Sequence, residues 1–138
     1  MFYLLAAAVT AAVSSPPDGH AVDLPAEIAA QVPANLRSYY LAFLTAPAEP
    51  KPMSSELFAR HQAYIREQVE AGSIRLVGPI SGSKHLRGMK VISAASAEDA
   101  RRIAEGDPAV REKVLAVEVY EVTLPSLGEF RIAYPPRR

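Results

Sequence analysis

Between Glu56 and Ile80 the chain reads ELFARHQAYIREQVEAGSIRLVGPI, and the period of its apolar positions changes within that stretch. Leu57, His61, Tyr64, Ile65 and Gln68 recur at i, i+4, i+7, i+8 and i+11, with Phe58 and Val69 at the flank. That is the spacing of one face of an amphipathic helix. Ser54 or Ser55 is its N-cap, although the Glu or Gln that would complete a capping box after Ser54 is missing. Gly72 suits the position just past the helix end. Ser73–Ile80 then reads as a strand, Ser81-Gly82-Ser83-Lys84 as a turn, and Leu86–Ala94 as a strand pairing back as an antiparallel hairpin.

The flanking segments complete the pattern. Ser38–Thr45, SYYLAFLT, is nearly continuous in apolar residues, as expected of a strand covered on both faces. Ala46–Met53 carries three prolines and reads as a loop. Ser96-Ala97-Glu98-Asp99 fits a loose capping box for a second helix that stops at Gly106. Asp107-Pro108 follows as N-cap and first residue of a short helix to about Val114. Ala116–Leu124, AVEVYEVTL, alternates as a fourth strand. The resulting order, β-α-β-β-α-β, is that of the ferredoxin-like split arrangement: an α+β fold with a four-stranded antiparallel sheet and two helices on one face. The apolar strands leave the other sheet face in need of cover, which a second copy of the chain would supply as a homodimer packed sheet to sheet.

The ends differ from this core. Phe2–Val13, FYLLAAAVTAAV, is uncharged and too short for the ~20 apolar residues that span a bilayer. It has the length of a signal-peptide core, with Ala12 and Ser14 as small residues before a cut, though no Lys or Arg precedes it. Residues 1–14 are therefore expected to be an export signal, making the protein periplasmic or secreted with no membrane association after cleavage. Residues 15–36 read as a linker holding a short helix at Leu24–Val32, residues 37–124 as the domain, and residues 125–138 as a tail in which Glu129–Tyr134 can form a short strand.

Composition narrows the function classes. With 138 residues, 49% of them hydrophobic and 22% charged, the chain suits one globular domain. Fifteen basic residues balance fifteen acidic ones, so no net field favours nucleic acid. Cysteine is absent, which removes disulfides, thiolate nucleophiles and cysteine-ligated zinc. Three scattered histidines lack metal-ligand spacing, so neither a metal nor any other cofactor is expected. There is no glycine-rich phosphate loop and no nucleophile elbow.

What remains is a histidine on an inward helix face, a costly place for a titrating group without a partner. A core histidine satisfied by a backbone carbonyl or by Tyr64 is one reading; a general acid–base oriented by a carboxylate is the other. Arg87 stands either at the mouth of a cleft, for an anionic group, or in a surface ion pair. Ser81, beside Gly82, either approaches a ligand or forms the turn.

The run ARHQAYIREQVEAGSIRLVGP around His61, Arg87-Gly88 in LRGMKV, and EDARRIAEGDPAV through Asp107-Pro108 resemble the YCII-related family over roughly Tyr39 to Val122. The resemblance implies the dimeric α+β barrel fold. It also implies His61 and Asp107 as the recurrent polar pair, with Gly78-Pro79 at a strand end near the site and Arg87-Gly88 opening the next strand. Asp107 has a structural task as well, capping the helix begun by Pro108. The expectation is a small cofactor-independent lyase or isomerase working on a small organic molecule through His61 and Asp107, with Gly78, Pro79, Ser81 and Arg87 binding substrate. The alternative is a non-catalytic dimeric module that binds a small ligand or a protein.

Overall fold

The computed structural model describes residues 18–137; the expected export signal lies outside them. In chain order the elements are β1 (His20–Ala21), α1 (Ala26–Ala29), β2 (Leu36–Thr45), α2 (Ser55–Glu70), β3 (Ile74–Pro79), β4 (Leu86–Ile92), α3 (Ala97–Glu105), α4 (Pro108–Arg111) and β5 (Ala116–Pro125). The sheet is antiparallel. β2 pairs β5 along its whole length on one side, and on the other it pairs β4 and, near its start, β1, while β3 pairs the far side of β4. The β5-β2-β4-β3 order is compatible with the ferredoxin-like arrangement.

The expected count of four strands is corrected to five. β1 escapes the hydrophobic pattern because it is only two residues long and is held by contacts distant in sequence. The Gly19 N–H bonds Ser93 Oγ at 3.0 Å, and His20 Nε2 meets the Ala94 carbonyl oxygen at 2.5 Å. Gly19 has φ +62, and a Cβ there would fall 2.5 Å from the Ser38 carbonyl oxygen, so glycine alone fits. Glu129–Tyr134 forms no strand. That tail is drawn across other surfaces by its side chains instead of pairing with a sheet edge.

Side-chain caps start the longer helices where the sequence places them. Ser54 Oγ accepts from the Leu57 N–H at 3.1 Å, and Ser96 Oγ from the Asp99 N–H at 3.1 Å. Leu57, His61 and Ile65 are the buried residues of α2, one face as the spacing requires. Alternation divides the sheet. Tyr40, Ala42, Ile92 and Ile74 face the helices and join Ala94, Ala100 and Ala104 in the core. The three alanines let α3 approach closely. Tyr39, of opposite parity to Tyr40, points to the other face and is fully buried there.

What buries Tyr39 is a polar staple between the two ends of the described chain. The Asp18 carboxylate accepts from the Tyr39 and Ser126 hydroxyls, from Arg75 Nη1 at 3.0 Å and from the Gly128 N–H at 3.2 Å. Arg75 Nη2 also donates to the Gly128 carbonyl at 2.8 Å. Burial pushes the Asp18 carboxyl up, but the Ser126 and Tyr39 hydroxyls, the Gly128 N–H and Arg75 outweigh it and hold it at about 2, against an ordinary 3.8. The staple's stabilisation is therefore complete above the ordinary value and is lost as pH falls toward about 2. Asp18→Asn should cost on the order of 1–2 kcal/mol near neutrality, allowing for partial exposure of the carboxylate. Denaturant unfolding at stepped pH should show wild type and variant converging below pH 3.8; a constant gap would refute the assignment.

Candidate functional site

The first helix and the segment before the last strand meet at His61 and Asp107. α2 turns His61 inward one helical turn after Leu57. Asp107 ends the α3–α4 connection, where the extended backbone of an N-cap aims its side chain back at its own helix. Asp107 Oδ1 accepts the Ala109 N–H at 2.9 Å, so the capping role is real. The same carboxylate faces the imidazole, with His61 Nδ1 at 2.8 Å from Oδ1 and 2.7 Å from Oδ2. The two roles coexist.

A third member comes from the sheet. Lys90 Nζ donates to Asp107 Oδ2 at 2.8 Å, and the side chains of both residues are 0% exposed. Lys90 pairs across strands with Ala42 and Val77 on the helix-facing side of the sheet, so its ammonium rises into the space beneath α2 and α4. Burial pushes the Asp107 carboxyl up, but the His61 hydrogen bond, the Lys90 ammonium and the Ala109 N–H together hold it below the ordinary carboxylate value. It is thus an anion that fixes a proton on Nδ1 and leaves Nε2 as the imidazole's free nitrogen. Tyr64 is not the histidine's partner: its hydroxyl donates to the Ile103 carbonyl at 2.8 Å.

His61 lines a cavity of about 520 Å³, within the range of small-molecule sites. Its walls are largely apolar, with Leu44, Phe58, Ile65 and Val77 among them. Among the described residues every buried side-chain nitrogen or oxygen has a partner. The hydrogen bonds of the His61 ring run through Nδ1 to Asp107, and the residue itself lines this cavity.

Of the residues expected to bind substrate, Gly78, Pro79 and Arg87 line the cavity with His61. β3 and β4 bring them together, since Pro79 pairs with Gly88 across the hairpin. A Cβ on Gly88 would approach the Gly78 carbonyl oxygen to 3.2 Å, so this end of the hairpin is tightly closed. Ser81 is exposed and does not line the cavity, while Ser83 Oγ accepts the Leu86 N–H at 2.9 Å in the turn. Asp107 stands behind His61, outside the lining. Two residues escaped the sequence reading. Lys90 carried a signal, since a lysine shares its parity with Ile92 on the strand. Tyr134, which the tail places in the cavity wall, carried none.

Among the described residues no three His, Asp or Glu side chains converge to hold a metal ion, and no helix is long and apolar enough to cross a membrane. No curated protein matches the chain. Residues 39–124, well over half of the 138, match the YCII-related domain, as the His61, Arg87-Gly88 and Asp107-Pro108 motifs implied, and the protein belongs to that family.

Proposed function

We propose that the protein is a cofactor-independent enzyme of lyase or isomerase type, in which His61 takes and returns a proton on a small, mainly apolar molecule. One observation carries this reading: His61 is tied through Nδ1 to a buried carboxylate and lines an apolar cavity, which leaves Nε2 as the nitrogen for a ligand. The carboxylate fixes ring orientation and tautomer, so the free nitrogen is a base aimed in one direction. Lys90 and Asp107 form a neutral ion pair, which makes orientation the carboxylate's main contribution. The apolar side chains of Leu44, Ile65 and Val77 lower the local polarity, which strengthens any charge interaction beside them. Arg87 at the same cavity favours a substrate with one anionic group.

The burial and capping role of Asp107 favour a second reading, a non-catalytic module whose cavity only binds. A thermal-shift screen of the purified protein against metabolite mixtures separates the two. A true ligand at a hundredfold excess over Kd should add about 2.7 kcal/mol of stability. It should also move the His61 ring signals in NMR and be converted. Binding without conversion would favour the module; if no stabilising ligand moves those signals, His61 is not the site.

The homodimer belongs to the same proposal. Phe43 and Tyr120 meet edge to face at 6.1 Å on the sheet face away from the helices, and Tyr120 is 53% exposed. Packing a second copy there would cover both aromatic rings. Export through Phe2–Val13 completes the proposal; the mass of the mature N-terminus tests it.

A further inference from the structure

We infer that Tyr134, in the tail beyond the family domain, is a wall of the His61 cavity and governs which molecules reach the imidazole. The inference rests on the reading of that cavity as the site. The family match ends at residue 124, so the domain's shared features do not account for Tyr134. Tyr134 nevertheless lines the same cavity as His61 and Arg87.

The tail is carried there by specific contacts. After the Asp18 staple at Gly128, it runs past β3 to the outer flank of α2. There the Arg66 guanidinium lies 4.9 Å from the centre of the Tyr134 ring, and Arg66 Nη2 donates to the Pro135 carbonyl at 3.2 Å. Arg66 also bonds Glu70 through Nε at 2.9 Å, and Arg137 Nη2 reaches both Glu70 oxygens at 3.0 and 3.1 Å. These two guanidinium groups hold the Glu70 carboxyl below its usual range. Phe58, Gln62 and Arg66 recur at four-residue intervals on α2, and the first two line the cavity. Tyr134 therefore extends that stripe by one helical turn, fixed at its end by Arg66. A side chain placed in this way narrows the cavity to ligands that fit beside an aromatic ring, and any molecule larger than that must displace the tail.

Access can be measured without knowing the substrate. Diethylpyrocarbonate acylates unprotonated imidazole, and peptide mass spectrometry can follow its rate at His61 against His85, whose side chain is 62% exposed. At one fixed pH, the change in the ratio of the two rates from wild type to variant reports access. Tyr134→Ala should raise the His61 rate severalfold relative to His85. Arg66→Ala, which removes both the ring contact and the Pro135 bond, should raise it as well, and Tyr134→Phe should keep the wild-type ratio. An unchanged ratio in Tyr134→Ala overturns the inference. The measurement involves no turnover, so failure of the acid–base reading would leave its outcome intact.

Discussion

Lys90→Met is expected to lower folding stability by about 3–5 kcal/mol, the cost of stranding a buried charge when its partner is removed. The methylene stem is closely matched in volume, so the loss is electrostatic and not a cavity effect. Asp107 would keep the His61 and Ala109 donors, at 2.7 and 2.9 Å, but lose the only full positive charge beside it among the described residues. Adding Asp107→Asn to Lys90→Met should recover part of the loss, because it removes the stranded charge and keeps a capping oxygen. Denaturant unfolding of the four proteins completes the cycle. A Lys90→Met loss below about 1 kcal/mol would mean that the carboxylate is not held as an anion by Lys90.

How far the site could be read in advance follows from where each residue's constraint lies. His61 was legible because a helix face is fixed by local spacing, and Asp107 because an Asp-Pro step before a helix is a local capping signal. Their meeting was not local, since 46 positions separate them; it needed the β-α-β-β-α-β order, which the periodicities supplied. Lys90 sits between. Its parity with Ile92 marks it as inward, yet a single lysine in LRGMKVI reads equally well as a strand's solvent side until the sheet face is known. β1, the Asp18 staple and Tyr134 depend on contacts between the chain's ends and its middle, and the short strand expected at Glu129–Tyr134 fails for the same reason. The end of that stretch is taken up by Arg66 and the cavity, not by a neighbouring strand.

His61→Gln is expected to separate chemistry from folding in the way that Lys90→Met cannot. Removing the imidazole leaves Asp107 its bonds to Lys90 at 2.8 Å and to the Ala109 N–H at 2.9 Å, so no buried charge is stranded. The stability change should stay within roughly 1–2 kcal/mol. Conversion of a substrate found by the thermal-shift screen should nevertheless fall about 10²–10⁴-fold, the usual contribution of a positioned acid–base. Binding through the apolar walls should persist, so the loss should fall on kcat more than on KM. Steady-state kinetics of wild type and variant at matched folded fraction provide the measurement. If kcat is retained, proton transfer does not pass through His61, and the buried Lys90–Asp107–His61 group is a device for holding α2, β4 and α4 together.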